Sequence, residues 1–176
     1  MSEGQKRIAA LVLLTRFQPK GEIYAVLRVQ GRYNLRERRP THNPGSLMLT
    51  CVGEAAKDED MRGCLVRHLS NQLGLTFAQK VFGGYAPGKV WLMPAYKTEK
   101  ITVEIFAVEV QPDDICDLVR LTVNTGGLDY VTESQAREII PLHGFNPRGV
   151  CFEDGMRIMP SEYRDDLLKV FELIKT

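Results

Sequence analysis

The chain opens with two apolar runs that predict a pair of β-strands. Residues 7–15 and 22–29 are rich in aliphatic and β-branched side chains, as strands are. Residues 18–21 (QPKG) lie between them and have the composition of a turn. The pattern therefore predicts a hairpin at the start of the fold.

Later apolar segments predict further strands, and they alternate with polar stretches that have loop composition. The segment 30–46 combines Gly, Pro, Asn and several Arg residues, which predicts a loop. The predicted strands cover residues 47–52, 79–84, 89–96 and 101–110, with a shorter strand at 128–131.

A helical period runs from Glu59 to Leu73. Its apolar positions recur every four residues, and Gly74 stands where a left-handed cap would end a helix. Burying each apolar side chain of this face stabilises the fold by about 1.5–3 kcal/mol before entropy is considered. The members of this predicted core face are Met61, Leu65, Leu69 and Leu73, with Val66 beside them.

Two more helices are predicted in the second half of the chain. Thr132 or Ser134 can cap a short helix that reaches Ile140. Ser161 can cap a longer helix with one apolar face, formed by Tyr163, Leu167, Val170, Phe171 and Ile174.

These elements predict an α/β layered fold with a mixed sheet. The chain has 176 residues, about the size of one compact domain. It shows no internal repeat and no stretch with linker composition. We therefore predict a single domain over residues 1–176.

Composition excludes several function classes. Lys and Arg (23) nearly balance Asp and Glu (22), so no net field draws the whole molecule to nucleic acid or to an anionic membrane. The four cysteines form no CxxC pair, which favours a reducing compartment and predicts a cytoplasmic protein. No apolar run approaches the roughly 20 residues of a membrane-spanning helix.

The polar face of the predicted helix 59–73 is the main candidate for chemistry. At 100° per residue, its members span about 140° of the helix surface. The face can be a solvated or loop-capping surface, a ligand contact or a metal site. Cys64 and His68 are one turn apart, but no further Cys or His is spaced to complete a zinc site, so we interpret Cys64 as a packing residue. The members of this face are Cys64, Arg67, His68, Asn71 and Gln72.

The spacing around this helix resembles the Nudix box. Five residues separate Gly53 from Glu59, and seven residues separate Glu59 from Arg67. Gly74-Leu75 follow at the end of the pattern. The family pattern is G, x5, E, x7, R-E-U-x-E-E-x-G-U, where U is aliphatic, and Leu69 also falls in register. The resemblance implies a Nudix-like α/β/α sandwich. It extends to the opening hairpin, to Pro44-Gly45 and to a late helix at SQAREII.

The chemistry departs from that pattern at three positions. The glutamates expected there are His68, Asn71 and Gln72 in this chain. In the family these acids bind magnesium or manganese and organise the attacking water, which needs anionic oxygen ligands. The resemblance therefore implies a degenerate box, with Glu59 and Arg67 retained as a structural pair and catalysis impaired. We expect no metal ligand among these residues and no cofactor, and Mg or Mn only if the protein is an active enzyme.

Ligand-binding candidates lie outside the box. Arg28, Arg32 and Arg36 can hold phosphates, and Trp91 can stack on a base, although aromatic residues in strands are more often core or sheet-surface residues. The arginine segment, which also contains Arg38 and Arg39, can instead bind single-stranded RNA or be solvated.

Three functional hypotheses follow. The first is a Nudix-fold binder of a nucleotide or another small phosphate-bearing ligand. The second is an active hydrolase of nucleoside-diphosphate-type substrates whose metal ligands come from Glu54, Asp58, Asp60 or Glu104. The third is an RNA or protein interaction module. None of them involves a membrane, and the oligomeric state is left open.

Overall fold

The structure is a computed structural model. It describes residues 6–34, 38–41, 43–82, 90–94, 96–97, 100–122, 125–144 and 156–175.

The described residues form strands and helices in mixed order. The strands are β1 (Lys6–Thr15), β2 (Tyr24–Gln30), β3 (Tyr33–Asn34), β4 (Arg39–Pro40), β5 (Leu47–Met48), β6 (Cys51–Glu54), β7 (Val90–Leu92), β8 (Tyr96–Lys97), β9 (Ile101–Glu109), β10 (Thr125–Val131), β11 (Ile140–Leu142) and β12 (Ile158–Pro160). The helices are α1 (Met61–Leu73), α2 (Leu75–Phe82), α3 (Pro112–Leu118), α4 (Glu133–Glu138) and α5 (Ser161–Leu173).

The main sheet has the order β10-β2-β1-β9-β7 and is mixed. β1 pairs with β9 in parallel along nearly its whole length, and with β2 in antiparallel fashion only near the hairpin. Beyond the hairpin β1 and β2 diverge, and β6 pairs with β1 while β5 pairs with β2. This arrangement places the end of β6 in the middle of the sheet, directly before α1.

The sheet separates two apolar layers, and β1 contributes to both. Ala9, Leu11 and Leu13 face the layer that contains α1, α2 and α3, while their neighbours face the layer that contains α4 and α5. Alternation along a strand explains this division. The architecture is therefore an α/β/α sandwich with a mixed sheet, which confirms the predicted fold class.

The opening hairpin, the strand at 101–110 and helix α1 are confirmed. The predicted core face of α1 is also confirmed, because Met61, Leu65, Leu69 and Leu73 are buried and Val66 is partly buried.

The prediction of a strand at 79–84 is wrong for residues 79–82, and residues 83 and 84 lie outside the described residues. Residues 75–82 form helix α2, and its buried side chains Phe77, Ala78 and Val81 follow a helical spacing. Gly74 joins the two helices with φ 100° and ψ 147°, so it has the positive φ that favours glycine but not the left-handed helical conformation. The turn is tight because the Gly74 amide still donates to the Ser70 carbonyl at 3.1 Å.

Other boundaries also differ from the predictions. The predicted loop 30–46 contains the two-residue strands β3 and β4, and helix α3 lies between the predicted strands 101–110 and 128–131, where no element was predicted. Thr132, one of the two predicted caps, caps α4 with a full capping box. The helix ends at Glu138, before the predicted end at Ile140. Ser161 is the first residue of α5 and not its cap.

Replacing Leu69 with Ala tests the core under α1. Leu69 is fully buried, so we expect the free energy of unfolding to fall by about 2–5 kcal/mol in urea denaturation. Val66→Ala is the control, because Val66 is only partly buried and its loss must be smaller. Equal losses for the two variants would contradict this description of the core.

Candidate functional site

The end of β6, the following loop and the start of α1 form the candidate site. Gly53 lies in β6 and pairs with Ala9 of β1, so the sheet fixes its position. Asp60 caps α1, since its side-chain oxygen accepts from the Gly63 amide. The short loop 55–60 therefore connects two rigid elements.

A bidentate ion pair ties this loop to the helix. Arg67 Nε donates to Glu59 Oε1 at 2.9 Å, and Arg67 Nη2 donates to Glu59 Oε2 at 2.6 Å. The same Nη2 donates to the Glu54 carbonyl at 3.0 Å, so Arg67 also holds the end of β6. This geometry is that of the structural pair which the resemblance implies.

Two further contacts strengthen the loop. Glu59 Oε2 accepts from the Ala56 amide at 3.0 Å, and the Glu59 carbonyl accepts from Arg7 Nη1 at 3.0 Å. Sequence reasoning missed Arg7, whose only signal was a charged residue at the start of an apolar strand. The Arg67 guanidinium, followed by the Ala56 amide, lowers the pKa of the Glu59 carboxyl to about 2.

His68 lies directly over Gly53. A Cβ built on Gly53 would come within 2.0 Å of His68 Cδ2 and within 2.3 Å of His68 Nε2, so only glycine fits under this ring. His68 Nε2 is 3.0 Å from Arg67 Nη1 and 3.4 Å from the Glu54 carbonyl. The imidazole is therefore packed against both the end of β6 and the Arg67 side chain.

Asn71 and Gln72 have different surroundings. Asn71 is exposed. Gln72 Oε1 is buried and has no hydrogen-bond partner in the part of the chain that the structure describes. The Gln72 carbonyl accepts from Thr125 Oγ1 at 3.4 Å, which links the end of α1 to the start of β10.

The donor set at these positions does not suit a hard divalent cation. Magnesium prefers carboxylate and carbonyl oxygens, whereas this face presents an imidazole beside a guanidinium, an exposed amide and a buried amide. Among the described residues, no three His, Cys, Asp or Glu side chains gather closely enough to hold a metal ion. No hydrolytic step through such an ion is therefore assigned to this site.

The acids considered as alternative ligands do not converge on one point. Asp60 is engaged as the helix cap and Asp58 is exposed in the loop. Glu54 is exposed at the surface, 3.4 Å from Lys6 Nζ.

Glu104 is the acid whose position relates to the box. Ala9 pairs with both Gly53 and Glu104, and directly paired residues point to the same side of a sheet. Because Ala9 packs in the α1 layer, the partly buried Glu104 also faces that layer.

The two cysteines near Gly53 are neutral packing residues. Cys51 and Cys64 are fully buried, and Cys64 Sγ lies 3.5 Å from the Gly53 carbonyl. Burial raises the pKa of the Cys51 thiol to about 12 and also raises that of Cys64. The interpretation of Cys64 as a packing residue is confirmed.

The ligand-binding candidates are dispersed. Arg28 is 6% exposed on β2, where its Nη1 donates to Gln30 Oε1 at 2.9 Å, while Arg32 is exposed after that strand. Trp91 is partly buried against the α5-side core. Arg36 lies outside the described residues, and Arg38 and Arg39 are exposed.

Among the described residues, two of the cavities on the α5 side of the sheet are lined by residues near β2 and β5. One has a volume of about 460 Å³ and is lined in part by Val29, Leu47, Asp129 and Arg157. The other, of about 360 Å³, is lined in part by Asn43, Met48, Leu142, Glu162 and Tyr163. Neither cavity includes a residue of the box.

Solved structures resemble this chain along nearly its whole length. A MutT/nudix family protein from Enterococcus faecalis matches with a TM-score of 0.62 and 10% identity, covering 99% of this chain and 64% of that protein. The MutT protein from Methanosarcina mazei Go1 matches with a TM-score of 0.56 and 16% identity, covering 100% of this chain and 99% of that one.

The chain has the Nudix fold. The resemblance drawn from the box is thereby confirmed at the level of the fold.

A third Nudix structure contains a ligand. It is the NUDIX domain of NrtR from Shewanella oneidensis complexed with ADP ribose, with a TM-score of 0.57 and 9% identity over 99% of this chain and 90% of that chain. No protein-family model matches the sequence of this chain, and the search of curated proteins finds no significant match. At these identities the similarity establishes the Nudix fold alone.

No helix within the described residues is both long enough and apolar enough to span a bilayer.

Acid titration tests the ion pair of the Nudix box. Because the pKa of Glu59 is lowered to about 2, the stability it contributes is fully present above the ordinary carboxyl value of 4.5 and is lost as the pH falls through about 2. Glu59→Gln should therefore be less stable than the wild type at neutral pH. The difference in urea midpoint should shrink between those two pH values.

The control for this titration is Glu54→Gln. Glu54 is exposed, and its 3.4 Å contact with Lys6 is a surface pair, so the variant should match the wild type across the same range. A gap between wild type and Glu59→Gln that stays constant down to pH about 2 would contradict the assignment.

Proposed function

We propose that this protein binds a nucleotide or another small phosphate-bearing ligand and that its Nudix box is catalytically impaired. The observation that carries this proposal is the box itself. Glu59 and Arg67 keep the loop in place, whereas the positions that carry metal-binding glutamates in the family pattern hold His68, Asn71 and Gln72.

Charge supports the loss of hydrolysis. A carboxylate about 4 Å from a divalent ion contributes on the order of 8 kcal/mol of gross attraction at an effective dielectric near 20, before solvation costs. Amides and an imidazole carry no negative charge and lack that attraction. The box framework does not depend on these acids, since Arg67 contacts Glu59 and the Glu54 carbonyl directly.

The ligand class is supported by fold similarity and by the arginines near the end of β2. The Nudix domain of NrtR, which shares the fold, was solved with ADP ribose. Arg28 lies in β2 and is buried, and Arg32 follows the end of β2 and is exposed. Guanidinium groups are suited to phosphate oxygens.

A ligand panel tests the proposal. Purified protein is incubated with ADP ribose and other nucleoside diphosphate derivatives, in EDTA and in Mg²⁺ or Mn²⁺. We expect no product, together with a rise in Tm for at least one compound, because a ligand that binds only the native state stabilises it. The rise should persist in EDTA, since the proposed binding does not use a metal ion.

Charge-neutral variants localise the binding. Arg32→Gln should reduce the ligand-induced rise in Tm, and Lys20→Gln is the matched control because Lys20 is exposed in the turn at the opposite end of β2. Absence of any Tm shift across the panel would contradict the binding proposal. Metal-dependent turnover that is lost in Glu104→Gln would instead identify an active hydrolase.

A further inference from the structure

We infer that His68 replaces the cation of the Nudix box as a positioning residue, holding the end of β6 against α1 so that the box keeps its shape without a metal ion. This inference goes beyond ligand binding, because it concerns the box alone and needs no ligand. It begins from the disagreement between the fold and the donor set at residues 68, 71 and 72.

The contact between His68 and Gly53 is the first support. The imidazole fills the space over Gly53 so closely that a methyl group there would overlap its ring atoms at 2.0 to 2.3 Å. Gly53 is also fixed by pairing with Ala9, so it cannot move away without breaking the sheet. The His68 ring therefore fills the space between β6 and α1. We call this packing of His68 on Gly53 the wedge.

The hydrogen-bond polarity is the second support. A guanidinium has only donors, so Arg67 Nη1 donates to His68 Nε2 across the shorter distance of 3.0 Å, and the Glu54 carbonyl, an acceptor 3.4 Å from the same nitrogen, then makes no hydrogen bond with it. His68 is then the neutral tautomer with its proton on Nδ1. The lone pair of Nε2, which would be the metal ligand, is directed to Arg67 and not to a cation.

The Arg67 side chain completes the unit. Its guanidinium contacts Glu59 on one side, His68 on another, and the Glu54 carbonyl. A divalent ion placed beside His68 would meet this fixed positive charge at close range. The side chains of Arg67 and His68 therefore exclude a divalent ion from the box.

This inference has a consequence for variants in which the acids are restored. Restoring acids only at positions 71 and 72 leaves His68 in place, so it should not create a cation site. Restoring the acid at position 68 as well removes the wedge and supplies a carboxylate beside Gly53. Cation binding should appear only in the second case.

The experiment compares the wild type, Asn71→Glu/Gln72→Glu, and His68→Glu/Asn71→Glu/Gln72→Glu. Mn²⁺ binding is measured by electron paramagnetic resonance, and Tm is measured in EDTA and in Mn²⁺. We expect no Mn²⁺-dependent shift in Tm for the wild type or the double variant. The triple variant should bind Mn²⁺ more than about tenfold more tightly than the double variant and gain Tm in Mn²⁺.

Two outcomes would overturn the inference. One is Mn²⁺ bound tightly by the wild type, with a rise in Tm that His68→Ala abolishes. The other is equal Mn²⁺ affinity in the double and triple variants. Neither outcome depends on nucleotide binding, so this test can fail while the proposed function stands, and the reverse also holds.

A double-mutant cycle gives a second measurement if the acidic variants fold poorly. Gly53→Ala should be strongly destabilising with His68 present, because the new methyl group meets the ring. In the His68→Ala background the same change should lower Tm much less. Additive effects would show that the two residues act independently and would overturn the wedge.

Discussion

The bidentate ion pair between Glu59 and Arg67 holds together the end of β6, the loop and α1, which form the Nudix box. Arg67 reaches from α1 to Glu59 in the loop and to the Glu54 carbonyl at the end of β6. Arg7 of β1 donates to the Glu59 carbonyl and so connects β1 to the loop. One small set of charge-assisted hydrogen bonds therefore holds β1 against the continuous segment of β6, the loop and α1, and His68 contacts Gly53 beside this set.

The fold and the catalytic chemistry of the box depend on different residues. Leu65, Leu69 and Leu73 bury α1 against the sheet, and Asp60 caps it. None of these groups is a metal ligand, so the core under α1 and the cap of the helix form without a metal ion. Fold similarity to Nudix structures consequently shows the framework and says nothing of the reaction.

Sequence reasoning predicted the elements whose signal is periodic and missed those whose signal is short. β1, β9 and α1 have long apolar patterns, and the ion pair follows from the spacing of the box. Helix α2 was misread because a short apolar run at Val81 and Phe82 fits a strand or a helix equally well. The wedge could not be predicted, because residues 53 and 68 meet only through the pairing of β6 with β1 and the packing of α1.

The neutral side chain at position 72 has a physical reason. A carboxylate that loses its cation keeps its desolvation cost, and burying such a charge without a partner is far more costly than burying an amide. Gln72 has nearly the size of a glutamate and no charge, and its Oε1 is buried. Glu59 can remain ionised because Arg67, a permanent cation, lies beside it. Burial therefore favours a neutral side chain at position 72, whereas Asn71 is exposed and has no such constraint.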